Sequence, residues 1–333
     1  MTQQKELKRI NQSYKDEEEW QNLRKGHVTS TGISAVLGLS PYKTPYEYWH
    51  EKKNKIKSEL SKQNLSRAKV GQKLEEAIGE IIAEELELTI EPFKTFMSIP
   101  ELKAGSSFDF KITKNPERPD QTGILEIKNV DYFRFKDTWV FDDDGNLTEA
   151  TPYIECQAQY QLFVSGLDYI IIGVFVGGNQ TKFLIREPDK EVFEVFEQEL
   201  LNFNKTLADN TPPEPDWNQD ADFIIGRLNK IHPDLVIDAP NDVELEKAGA
   251  DYLEASAISK AEAKRMKAAK AFILDKMQDA QVLNSSFYKV KTSMVKETQI
   301  SYTRKPYRTF SLTQKKLKMR DFIKSKLKKG DTK

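Results

Sequence analysis

The chain has 333 residues, with 51 Lys+Arg against 52 Asp+Glu, 38% hydrophobic and 31% charged residues. That length allows one large domain or two smaller ones, and balanced charge with 10% aromatic residues argues against wholesale disorder. One cysteine, Cys156, and scattered His27, His50 and His232 exclude an internal disulfide, a thiolate zinc site and an iron–sulfur cluster, and argue against a histidine-rich centre. Any metal then sits on carboxylates, which favours Mg²⁺ or Mn²⁺. No apolar run reaches the roughly 20 residues that cross a bilayer, and the first residues carry Lys, Gln, Glu and Arg in place of an apolar signal. A soluble cytoplasmic protein is expected.

In chain order, Arg24 and the run Thr29-Ser30-Thr31-Gly32-Ile33-Ser34 come first. Hydroxyls, backbone amides and a guanidinium can hold a phosphate there, or the hydroxyls can cap a short helix over 33–37. Across 70–88, Leu74, Ala77, Ile78, Ile81 and Ile82 recur with helical spacing. Two β-rich segments follow, 104–113 and 123–129, separated by the turn-forming run 115–120 and expected to pair antiparallel. A helix is expected over 153–165, ended at Gly166, then strands over 169–176 and 182–187 around the turn 177–180, and a helix over 190–207. Helix, strand, strand, helix, strand, strand, helix describes an α+β core with a central sheet.

Past residue 207 the composition changes. Residues 211–215 read as a linker, 243–282 as a long helical region containing a hairpin, and 287–294 and 298–303 as strands. Residues 304–333 hold 12 Lys+Arg and 2 Asp+Glu, which leaves 39 against 50 in the rest. Such a basic tail suits a polyanion such as nucleic acid, or is a solvated helix with the crude apolar stripe Leu312, Leu317, Phe322, Ile323 and Leu327. The expected organisation is a core over 1–207, an accessory helical and β-hairpin region over 208–303 and a basic tail over 304–333.

The chemistry centres on Leu125-Glu126-Ile127-Lys128-Asn129. In a strand, Glu126 and Lys128 share one face and Leu125 and Ile127 the other. On the preceding segment Asp109 faces away from Phe108 and Phe110, so pairing would bring Asp109 and Glu126 around one cation, with a backbone carbonyl and a nearby lysine. Alternation on a half-exposed strand also yields this pattern by chance. Glu75 lies beside the apolar stripe of the 70–88 helix and can reach the same cation, or is an ordinary surface glutamate. Gln157 and Gln161, one turn apart, can orient water or bond a phosphate, or form a solvated polar stripe.

Taken together, VTSTGISAVLGLSPYKTPYEYW (28–49), GQKLEEAIGE (71–80), AGSSFDF (104–110), GILEIKN (123–129) and ECQAQYQLFVSGLDY (155–169) resemble the lambda exonuclease-like (YqaJ-type) viral recombinase nucleases of the PD-(D/E)xK superfamily. The resemblance covers roughly residues 20–205. It implies a restriction-endonuclease-like core with a central mixed sheet flanked by helices, Mg²⁺ (or Mn²⁺) as cofactor, and 5′-to-3′ digestion of linear duplex DNA that leaves 3′ single-stranded tails. Asp109, Glu126 and the Ile127 carbonyl would be metal ligands, with Glu75 near them, Lys128 the catalytic lysine and Gln157 completing the motif. Arg24 would belong to a 5′-phosphate pocket with Thr31, or Ser34 in a shifted register, and Ser107. Thr31 stands where serine is usual, which keeps a hydroxyl. The resemblance also implies a ring-shaped trimer working beside a single-strand annealing protein in phage recombination, in the bacterial cytoplasm. An endonuclease on the same fold and a non-catalytic recombination scaffold are the alternatives. No G-x-x-x-x-G-K-[ST] loop occurs, which excludes an ATP-driven nuclease–helicase of that type.

Overall fold

The computed structural model describes residues 7–54, 62–228, 235–299, 301–303 and 307–312. Most of the basic tail thus lies outside the described residues. The chain divides into two compact units, Met1–Ile225 and Gly226–Lys333.

The first unit opens with β1 (Ile10–Ser13), α1 (Glu17–Lys25), β2 (Val28–Thr29), α2 (Ile33–Val36), α3 (Pro45–Asn54) and α4 (Lys62–Glu85). Next come β3 (Thr89–Pro92), β4 (Thr95–Ile99), β5 (Ala104–Ser106), β6 (Phe110–Lys114) and β7 (Gly123–Val130). They are followed by α5 (Tyr132–Thr138), β8 (Val140–Phe141), β9 (Leu147–Glu149), α6 (Pro152–Ser165), β10 (Tyr169–Val176), β11 (Gln180–Arg186), α7 (Lys190–Asp209) and α8 (Ala221–Arg227). The central sheet has the order β11-β10-β7-β6-β3 and is mixed: β7 pairs parallel with β10 and antiparallel with β6. A second sheet has the order β1-β4-β5-β2.

Both faces of the central sheet are covered, so β10 is apolar on both sides, as is β7 up to Leu125. One face sets Ile124, Ile170, Ile172 and Val174 in a core with Ile154 and Leu162 of α6 and Phe196 and Leu200 of α7. The other sets Leu125, Ile171 and Phe110 against Ile78 and Ile82 of α4. Helix α6 begins on Pro152, which gives up no intrahelical donor at that position, and ends on Gly166 at φ 71°, where the glycine N–H reaches the Leu162 carbonyl.

Close packing of α4 explains Gly79. A Cβ there would lie 2.6 Å from Cε2 of Phe110. Alanine normally stabilises a helix over glycine by about 1 kcal/mol, but a methyl forced into a filled core costs about 1–3 kcal/mol. Gly79→Ala is expected to lower the melting temperature; a variant that melts higher would show that the Phe110 ring yields.

Three expectations are corrected. Residues 104–113 are not one strand: β5 belongs to the second sheet and β6 to the central one, with 107–109 crossing between them. The alternating pattern runs through the crossing unbroken, because both halves are strands. Residues 243–282 hold no helical hairpin. In the second unit α9 (Val243–Met277) is a single helix, since nothing after Gly249 interrupts its Ala-, Lys- and Glu-rich run, and 282–284 is already strand. A hairpin of β12 (Val282–Asn284) and β13 (Lys289–Lys291) follows. The described residues of 298–303 form no strand.

Candidate active site

The crossing from β5 to β6 places Ser107 and Asp109 beside β7, and these line a cleft of 1240 Å³ together with Glu75, Glu126, Lys128 and Gln157. Glu126 is only 5% exposed, so each of its oxygens needs partners. Its Oε1 accepts from Lys128 Nζ at 2.6 Å and Gln157 Nε2 at 2.5 Å, and its Oε2 from Gln161 Nε2 at 2.7 Å. The one-turn spacing of Gln157 and Gln161 on α6 therefore makes a clamp across the carboxylate, not a solvated stripe. Gln161 Nε2 also donates to the Ser107 carbonyl at 3.2 Å, and its Oε1 is buried without a hydrogen-bond partner. Asp109 Oδ2 accepts from the Ile127 amide at 2.8 Å.

Charge is concentrated here. Burial, then Glu126 and Glu75, raise the Asp109 carboxyl well above the usual aspartate range. Glu75 is raised by burial and by Glu126. Burial pulls the Lys128 ammonium down, but Glu126 and Asp109 outweigh it and hold its pKa above the ordinary lysine value. Such mutual repulsion is what a cation relieves. Among the described residues no three His, Cys, Asp or Glu side chains form a metal cage by themselves. The donors, two carboxylates and the Ile127 carbonyl with Glu75 nearby, fit an ion that keeps part of its water shell, as Mg²⁺ does.

Next to the cleft, a smaller cavity of 390 Å³ is lined by Arg24, Lys25, Lys43, Lys52, Thr29 and Thr31, and Thr31 lines both. Arg24 sits 4.4 Å from the Trp20 ring centroid, and its Nη1 donates to Ser107 Oγ at 3.4 Å, an oxygen that also accepts from Trp20 Nε1 at 2.6 Å. Burial lowers the Arg24 pKa. Lys52 Nζ donates to the His27 carbonyl at 2.5 Å and the Arg24 carbonyl at 3.4 Å, tying down the chain around the end of α1. Burial first and then Arg24 push Lys52 down to about 8. The capping explanation for the hydroxyl run does not hold: the N-cap of α2 is Gly32, and no side chain caps the helix. Ser34 lines neither cavity; it is buried, and its hydroxyl donates to the Thr31 carbonyl at 3.2 Å.

This arrangement matches a known domain. The match to the YqaJ-like viral recombinase family spans residues 19–168, from α1 through α6 to the turn before β10. Residues 19–168 are similar to the YqaJ-like viral recombinase domain. The protein YqaJ of Bacillus subtilis (strain 168), itself uncharacterized, is 27% identical over 214 residues, which cover 62% of this chain and 61% of that protein. The alkaline exonuclease LHK-Exo from Laribacter hongkongensis is similar at 17% identity, over 62% of this chain and 99% of its own, with a TM-score of 0.45. LHK-Exo in complex with dAMP gives 19%, the same coverage and 0.46. No described helix is long and apolar enough to cross a membrane.

Within this matched region the structure brings Asp109, Glu126, Ile127, Lys128, Glu75 and Gln157 to one cleft, and Arg24, Thr31 and Ser107 to its border. Sequence reasoning left Trp20 and Lys52 unmentioned. Trp20 lies four residues before Arg24, one helical turn away, which was a readable signal once α1 is taken as a helix. Lys52 had none.

Proposed function

We propose that this chain is a metal-dependent nuclease that hydrolyses linear double-stranded DNA from its 5′ ends and leaves 3′ single-stranded tails. The observation that carries the reading is the Glu126 carboxylate clamped by Lys128, Gln157 and Gln161 beside Asp109, in a cleft bordered by a cavity of cationic side chains. LHK-Exo is described as an alkaline exonuclease, and the family as a viral recombinase, which point the same way.

Asp109, Glu126 and the Ile127 carbonyl would hold Mg²⁺, with Glu75 nearby. When bound, the ion supplies an activated water and offsets charge building on the phosphoryl oxygens. Lys128, an ammonium by its surroundings, donates hydrogen bonds that fix the attacking water and the phosphate. Gln157 and Gln161 keep the Glu126 plane from turning. Arg24, with Trp20 stacked on it, and the Ser107 and Thr31 hydroxyls bind the terminal phosphate. As in the resembled nucleases, an oligomer and a single-strand annealing partner are part of the proposal.

Duplexes labelled on either strand end, with 5′-phosphate or 5′-hydroxyl termini, and a closed circle test the reading. It expects Mg²⁺-dependent loss starting at the 5′-phosphorylated end, with the circle intact. Cutting of the circle would favour an endonuclease on the same fold, and binding without cleavage a recombination scaffold. Lys52 adds a pH signature. It is charged below about 8 and neutral above, and it faces Arg24, Glu51 and Lys43. Affinity for phosphorylated ends should fall as pH rises through about 8, and Lys52→Gln should flatten that dependence. Folding stability should move oppositely: because the folded pKa is lowered, the cost of burying this charge is present below about 8 and relieved between there and 10.5. A Lys52→Gln protein with the parental pH profile would remove Lys52 from anion binding.

A further inference from the structure

We infer that the second half of α9 is a duplex-DNA contact surface, on which Lys260, Lys264, Lys267 and Lys270 bind the phosphates of one strand. All four side chains are exposed. At about 100° per residue, helical periodicity places them within about 120° of one another, along about 15 Å of axis. That length faces about four phosphates, at about 3.4 Å per phosphate along a strand.

The face is otherwise small. Ala263 and Ala268 lie among the lysines and Ala257 and Ala271 flank the row along the axis, all exposed and without bulk, so a sugar–phosphate backbone can approach closely. Between Lys260 and Lys270 the one acid is Glu262, on the opposite side of the helix, where it pairs with Arg265 at 3.0 Å. Glu244, Glu246, Asp251 and Glu254 fall in the first half of α9, and Asp275 comes five residues after Lys270, close to the helix end. From 260 to 270 the lysines thus form a row of single-sign charge. An acidic protein surface would also be drawn to lysines. A regular row of cations separated only by alanines, with no aromatic anchor on that face, matches a repeating polyanion better than a protein, whose interfaces centre on buried aromatic and apolar contacts. The inference takes its ligand, DNA, from the nuclease reading; its position in α9 is independent of the cleft residues.

The test is duplex binding by the full chain in a chelating buffer, so that nothing is cut, followed by fluorescence anisotropy from ~50 to 200 mM salt. The parent is compared with the fourfold variant Lys260→Gln/Lys264→Gln/Lys267→Gln/Lys270→Gln and with the fourfold Lys→Arg variant. Glutamine has nearly the helix propensity of lysine, and circular dichroism checks that α9 persists. The Gln variant is expected to show a slope of log K against log[salt] shallower by about 3.6, so that across this range the parent loses about 150-fold more affinity than the variant. The Arg variant should keep the parental slope. Equal slopes in the parent and the Gln variant, both binding duplex, would overturn the stripe and leave the nuclease reading standing. A slope lost equally in the Arg variant would overturn the charge account, and a parent that binds no duplex at low salt would overturn the stripe and the nuclease reading together.

Discussion

Replacing Lys128 by alanine should abolish cleavage of linear duplex DNA while leaving binding nearly intact. Among the described residues Lys128 is the one cation hydrogen-bonded to Glu126, and it lines the cleft. The ammonium supplies a donor and a positive charge that alanine cannot replace. Positioned proton-transfer and charge-stabilising groups of this kind contribute about 10²–10⁴-fold, so single-turnover rates should fall by about that factor. DNA affinity rests instead on phosphate contacts such as Arg24, and should stay near the parental value. The fold should survive, because Glu126 keeps Gln157 and Gln161 as donors. A Lys128→Ala protein that degrades DNA at the parental rate would take lysine out of the mechanism.

Asp109→Asn should be inactive yet more stable than the parent in metal-free buffer. Asp109 is half-buried beside Glu126 and Glu75, and their negative charge opposes its own. Asparagine removes the charge and keeps an oxygen to accept the Ile127 amide proton. Relief of like-charge burial of about 1 kcal/mol raises the melting temperature by about 2–4 °C in a unit of this size. Added Mg²⁺ should then stabilise the parent, since an ion that binds the folded state raises its stability, and should barely move the variant. Activity and metal-free stability thus pull in opposite directions at this residue. A variant that melts lower than the parent without metal would mean that Asp109 is held by attractive contacts, and the cation account would lose its main electrostatic support.

The elements read most accurately from sequence are those with local punctuation. Pro152 and Gly166 delimit α6, and Gly177-Gly178 separates β10 from β11, because proline and glycine restrict or permit backbone angles whatever surrounds them. The sheet-to-sheet crossing at 107–109 was hidden. Alternation reports that a segment is extended, not which sheet it joins. The short elements β1, α1, α3, β3 and β4 were also missed, being too brief for a periodic signal, and their places come from tertiary partners.

The candidate site divides along the same line. Glu126 and Lys128 share a face by strand period alone. The clamp joins Gln157 and Gln161 to Glu126 across 31 and 35 residues, and the Trp20–Ser107 bond spans 87. No local pattern encodes pairs that far apart; only the packing of α6 over β7, and of α1 beside the crossing, creates them. That is why Gln161 could be read equally as a water-facing residue, and why Lys52 carried no signal at all.

The central claim is that the Asp109–Glu126–Lys128 cleft cuts DNA with a bound divalent cation. The most direct test is to chelate the purified protein, present it with linear 5′-phosphorylated duplex, and titrate Mg²⁺ back while following release of nucleotides, with Asp109→Asn in parallel. The account predicts no release before Mg²⁺, release that saturates with the ion in the parent, and none in the variant. Equal release by parent and Asp109→Asn, or release unaffected by chelation, would contradict it.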